Sequence, residues 1–78
     1  MELKERIAKL RRIKNLTQAE LAEKVGVTTR SIQNYELGTR VPKMDTVVKI
    51  AEALGVDEKV LMSDEDYFVI EAHEKYGS

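Results

Sequence analysis

Apolar residues recur every three or four positions along most of this 78-residue chain, which is the spacing of one face of an α-helix. Glycines and one proline interrupt this pattern, and such residues end helices or form turns. We therefore predict five helices: one over roughly residues 2–14, one from Thr17 to Gly26, one from Thr28 to about Glu36, one over 44–54 and a short one after Asp57.

The predicted second and third helices are joined by a very short turn. Thr17 and Glu20 have the T-x-x-E spacing of a capping box, and Gly26 predicts a left-handed helix end. Only Val27 separates Gly26 from Thr28, which is a candidate N-cap for the next helix. Two helices joined so tightly must cross at a large angle, so we predict a helix-turn-helix unit.

The third predicted helix has two different faces when its residues are placed at about 100° intervals. Ile32 and Tyr35 fall on one arc and predict contact with the core. The opposite arc carries Thr29, Arg30, Gln33 and Asn34. Arginine, asparagine and glutamine are the side chains that hydrogen-bond base edges, and threonine contacts thymine. The alternative is a plain polar face in contact with solvent.

Glu36 falls on the inward arc, where an unpaired carboxylate would be costly. Arg11 lies beside the apolar stripe of the first helix, whereas Arg12 points away from that stripe. We expect an Arg11–Glu36 ion pair that fixes the angle of the third helix. The alternative is that Glu36, close to its helix end, simply reaches water.

The charge is unevenly distributed along the chain. Residues 1–43 carry ten Lys/Arg and five Asp/Glu, a net +5, whereas residues 44–78 carry three and nine, a net −6. A basic half of this kind suits a polyanion, although the overall pI of 5.8 does not favour a nucleic-acid binder. Candidate phosphate contacts are Thr17 and Gln18 at the start of the second helix and Arg40 and Lys43 after the third. A simple N-cap and a solvated loop are the alternatives.

Composition excludes several classes of protein. The chain has no cysteine and one histidine, His73, which excludes a disulfide scaffold and multi-His or Cys-based metal sites. No apolar run approaches the ~20 residues of a membrane span, and the first residues do not resemble a signal peptide. No nucleophile–base pair, phosphate loop or ligand cluster is evident. We expect a cytoplasmic protein that is not an enzyme and has no cofactor, metal, membrane contact or evident small-molecule ligand.

Residues 63–78 allow two interpretations, because Tyr67-Phe68-Val69-Ile70 is consistent with a helix face and with a strand; we favour the helix. The chain also has more apolar residues near this end than a five-helix monomer needs. We expect some of them to form a homodimer contact, with packing of the tail on its own helices as the alternative. The candidates are Val56, Leu61, Met62, Phe68 and Val69.

Residues 16–55 resemble the Cro/repressor-type helix-turn-helix family of bacterial and phage regulators, also called the xenobiotic-response-element type. The resemblance is carried by T-Q-x-x-L-A, G-V, I-x-x-Y-E-x-G, a proline, and A-x-A-L-G-V in this order. It implies that the third helix enters the major groove, that Gln18 holds a phosphate, and that Arg11 pairs with Glu36. Lys43 departs from the family, in which many members have a Ser or Thr cap.

The resemblance and the pattern together predict an all-α, lambda-repressor-like five-helix domain over residues 1–62, with a C-terminal extension over 63–78. The extension is expected to dimerise or to begin a second region of a longer regulator. The predicted function is sequence-specific binding of double-stranded DNA as a dimeric transcriptional repressor on a palindromic operator. The alternative is a protein-interaction module, such as an antitoxin or adaptor, with weak DNA binding.

Overall fold

The structure, a computed structural model, describes residues 1–62, and these form five α-helices with no strand among them. The helices are α1 (Leu3–Ile13), α2 (Gln18–Val25), α3 (Thr29–Leu37), α4 (Met44–Leu54) and α5 (Glu58–Met62). The first four begin and end within about two residues of the predicted positions, and α5 begins directly after Asp57 as predicted. The all-α prediction for this region is confirmed.

One hydrophobic core joins all five helices. Burial of a large aliphatic side chain contributes about 1.5–3 kcal/mol to folding. The nine largest fully buried side chains are those of Ile7, Leu10, Leu21, Ile32, Val47, Ile50, Leu54, Val60 and Leu61. Ile32 and Tyr35 lie in this core, as the helical wheel of α3 predicts.

The turn between α2 and α3 is built from the residues that the sequence pattern indicates. Thr17 Oγ1 accepts the Glu20 backbone N–H at 3.0 Å, and Glu20 Oε1 accepts the Thr17 N–H at 2.7 Å. The bond from the Thr17 backbone lowers the pKa of the Glu20 carboxyl below its ordinary value. Gly26 ends α2 with φ at 86°, a conformation that glycine adopts without strain. Thr28 then caps α3 by accepting the Ser31 N–H at 3.1 Å.

Two residues assigned to a dimer contact lie elsewhere. Val56 and Leu61 belong to the core of the single chain, with 9% and 1% of their surfaces exposed. A side chain that is already buried within one chain is not available to a second copy, so this part of the sequence interpretation is wrong. Met62 is 51% exposed. Phe68, Val69 and the rest of the extension lie outside the described residues.

Arg6 is a core contact that the apolar pattern did not reveal. Only 5% of its surface is exposed, and its Nη1 donates to the Leu61 carbonyl oxygen at 2.8 Å. This bond connects α1 to α5 across 55 residues of sequence. Arg6 therefore holds the short helix α5 against α1.

Helix α4 begins without a side-chain cap, because Lys43 at its N-cap accepts no backbone N–H. We predict that Lys43→Ser raises the free energy of unfolding by about 1 kcal/mol, since a serine oxygen there accepts an N–H of the first turn. Urea denaturation measures this change. Lys49→Ser, at an exposed position inside α4, is the control and should lower stability slightly. An unchanged unfolding midpoint for Lys43→Ser would contradict the prediction.

Candidate nucleic-acid interface

Helix α3 presents the predicted polar arc away from the core. Arg30 is exposed, and Thr29, Gln33 and Asn34 are partly exposed. Within residues 1–62, the side chains of Thr29, Arg30 and Gln33 make no hydrogen bond or ion pair, so their polar atoms are available to a ligand. The structure therefore brings these candidate base-reading residues onto one accessible surface.

Asn34 has a second role that the sequence did not reveal. Its carbonyl oxygen accepts the backbone N–H groups of Gly38 at 2.9 Å and Thr39 at 3.1 Å, which closes the end of α3. The Thr39 hydroxyl lies 3.3 Å from both this carbonyl and Asn34 Oδ1. The side-chain oxygen of Asn34 is thus held by the loop, while its amide nitrogen has no partner in the described part of the chain.

Arg11 and Glu36 form the ion pair between α1 and α3. Arg11 Nε donates to Glu36 Oε2 at 2.7 Å, and Arg11 Nη2 donates to Glu36 Oε1 at 3.1 Å. The side chains are 12% and 7% exposed, respectively. The hydrogen bond to Glu36 raises the pKa of the Arg11 guanidinium, so the arginine remains charged.

The same two residues also reach the start of α2. Arg11 Nη1 donates to the Leu16 carbonyl at 2.8 Å, and Gln18 Nε2 donates to Glu36 Oε1 at 3.0 Å. Both oxygens of Glu36 are therefore occupied, and Gln18 has a fixed orientation with one amide hydrogen left. The sequence predicts only a phosphate contact for Gln18, and its bond to Glu36 is an additional finding of the structure.

The remaining phosphate candidates lie at two places. Thr17 is exposed immediately before α2, and its hydroxyl oxygen already serves the capping box while its hydrogen remains available. Arg40 and Lys43 are exposed in the loop after α3, and neither has an ion-pair partner among the residues described. Cationic and donor groups thus lie near both ends of the helix-turn-helix.

Over residues 1–62, no group of three or more His, Asp or Glu side chains is arranged to hold a metal ion. In the same range, no helix has the length and apolarity needed to cross a membrane.

A family model described as a helix-turn-helix domain matches residues 4–66. The chain belongs to this helix-turn-helix family. It is 43% identical over 56 residues to the cryptic phage CTXphi transcriptional repressor RstR of Vibrio cholerae. This match covers 72% of the chain and 50% of RstR. It is 38% identical over 61 residues to the HTH-type transcriptional regulator YqaE of Bacillus subtilis, and this match covers 78% of the chain and 53% of YqaE. The chain thus spans about half the length of these curated relatives.

A solved structure agrees with this assignment. The P22 c2 repressor protein, in a crystal structure with synthetic operator 9T, has a TM-score of 0.73 and 26% sequence identity. The similarity covers 78% of this chain and 92% of that one. The Cro/repressor-type resemblance and the lambda-repressor-like fold are confirmed, whereas the residues that touch a ligand stay predictions.

We predict that Glu36→Leu lowers the free energy of unfolding by about 2–3 kcal/mol, because it leaves the largely buried Arg11 guanidinium without its carboxylate. The double variant Arg11→Met with Glu36→Leu removes both charges and should recover most of this loss. Urea denaturation of the two single variants and the double variant measures the coupling. Simple addition of the two single losses would show that the pair makes no joint contribution.

Proposed function

We propose that this protein binds double-stranded DNA with sequence specificity and acts as a transcriptional repressor. One observation carries the proposal: α3 presents Thr29, Arg30, Gln33 and Asn34 on a single accessible arc. In a major groove, Arg30 can donate two hydrogen bonds to guanine O6 and N7. Gln33 has the donor–acceptor pair that adenine requires, and the Thr29 methyl suits thymine. Asn34 can donate its amide N–H groups to a base, while its Oδ1 accepts the Thr39 hydroxyl.

The backbone contacts in this proposal come from residues on either side of α3. Gln18 offers its second amide hydrogen to a phosphate, and Thr17 offers its hydroxyl beside it. Arg40 and Lys43 supply positive charge from the loop after α3. Such contacts provide affinity and set the position of the protein, but they carry no base sequence themselves.

The regulator acts as a homodimer in this proposal. Two copies place their α3 helices in successive major grooves, about 34 Å apart, and the operator is then a palindrome. The remaining candidates for the dimer contact are the exposed Met62 at the end of α5 and the sequence positions Phe68 and Val69 in the extension over 63–78. The protein acts in the cytoplasm, and no enzymatic activity or small-molecule ligand forms part of the proposal.

Selection of bound duplexes from a random DNA pool, at fixed salt concentration, tests this function. We expect enrichment of an inverted repeat whose half-sites lie one helical turn apart. Retention of all duplexes alike, with strong salt dependence and no enriched motif, would contradict sequence-specific binding. The protein would then fit the interaction-module alternative better.

We predict that Arg30→Ala relaxes base preference at one position of each half-site and costs about 1–3 kcal/mol in binding to the selected duplex. Gln18→Ala is the contrast, since loss of a backbone contact weakens binding to all sequences by a similar factor. Fluorescence anisotropy with the selected duplex and single-base variants of it separates the two effects. An unchanged base preference in Arg30→Ala would show that Arg30 is not one of the base-reading residues.

A further inference from the structure

A surface groove runs between α1 and α3 and reaches the start of α2. It encloses about 330 Å³ and is lined by Ala8, Arg12, Gln18, Gln33, Glu36 and Leu37. The small side chain of Ala8 leaves room between the two helices. Gln18 and Gln33, which are both proposed to contact DNA, therefore lie in one groove with Arg12, which has no part in the proposal so far.

Arg12 differs sharply from its neighbour Arg11. Each of the three guanidinium nitrogens of Arg11 donates one hydrogen bond, to Glu36 or to the Leu16 carbonyl. Arg12 is exposed and makes no hydrogen bond or ion pair with any residue in the range 1–62. None of its five N–H donors is therefore used by the described part of the chain, and they can serve a ligand.

The charges in this groove favour an anion. Its carboxylate, Glu36, has both oxygens occupied by Arg11 and Gln18, so its negative charge is already balanced. Arg12 then leaves the groove with a net positive charge. The neighbouring Gln18 adds an N–H donor whose direction is fixed by its bond to Glu36.

We infer that Arg12 binds a backbone phosphate of DNA on the α1 side of the reading helix, next to the phosphate held by Gln18. This inference rests on the proposed function and extends it. Arg40 and Lys43 serve the backbone from the loop after α3, so Arg12 gives the reading helix positive charge at its other flank. Phosphates line both sides of a major groove, and charges on both flanks of α3 would centre the helix between them.

The test compares three variants in DNA binding as a function of salt concentration. Arg12→Gln removes the charge, Arg12→Lys keeps it, and Lys49→Gln removes an equal charge elsewhere. Lys49 is exposed on α4 and lines a different groove, with Lys24, Val25, Glu52 and Ala53, which holds none of the proposed DNA contacts. Circular dichroism and thermal unfolding should be essentially unchanged in all three.

We expect Arg12→Gln to weaken binding by roughly 3- to 10-fold at 0.1 M salt, equally for the selected duplex and for unrelated DNA. The slope of log affinity against log salt, which is negative, should become shallower by about 0.9 for each bound chain. The loss of affinity in Arg12→Gln therefore becomes smaller as salt is raised. Arg12→Lys should retain most of the affinity, and Lys49→Gln should keep the parental slope.

Neutralising single phosphates with methylphosphonate locates the contact. Neutralisation of one phosphate in each half-site should weaken DNA binding by the parent protein and should have no further effect on binding by Arg12→Gln. If Arg12→Gln keeps the parental slope, or loses no more affinity than Lys49→Gln, the inference is wrong while the proposed function stands. If the parent protein binds no duplex DNA at all, the proposed function itself fails and this inference with it.

Discussion

The Arg11–Glu36 ion pair is the contact on which the geometry of the whole binding surface depends. Arg11 belongs to α1, touches the carbonyl that precedes α2, and holds the carboxylate of α3. Glu36 in turn holds Gln18 at the first position of α2. Four hydrogen bonds around one carboxylate and one guanidinium thus connect three helices. The apolar core holds these helices together, and the four bonds fix their relative orientation.

Such a pair contributes more to orientation than to net stability. Removing two charges from water costs free energy that their attraction returns only when the geometry is good. Apolar packing alone permits small rotations of one helix over another, whereas a two-point bond between guanidinium and carboxylate has a definite direction. A helix that reads base edges, as proposed for α3, needs this definite direction, since a hydrogen bond to a base edge weakens steeply when misaligned.

The sequence predicts the helices and their turns well because the signals are local. Thr17, Glu20, Gly26 and Thr28 act within a few residues of themselves, and capping and left-handed ends depend only on such neighbours. The Arg11–Glu36 pair was also predicted, because Glu36 falls on the inward arc of α3 and Arg11 lies beside the apolar stripe of α1, with contact of Glu36 with water as the alternative.

Other features were not predictable because they depend on contacts distant in sequence. The bond from Gln18 to Glu36 spans 18 residues and requires knowing where two flexible side chains point. Val56 and Leu61 could be recognised as apolar, but a list of apolar residues does not tell whether one chain or two chains bury them. Arg6 is a charged residue next to the apolar stripe of α1, so the sequence alone predicts that it lies at the surface. Its burial follows only from the position of α5.

The side chains on the outer arc of α3 also differ in how freely they can be exchanged. Thr29, Arg30 and Gln33 support nothing else in the described domain, so evolution or an engineer can replace them with little effect on folding. Asn34 is tied through Thr39 to the loop that carries Arg40. Under the proposed function, a change of base preference is therefore simplest at the first three positions, whereas a change at Asn34 also alters the loop that carries Arg40, a proposed phosphate contact.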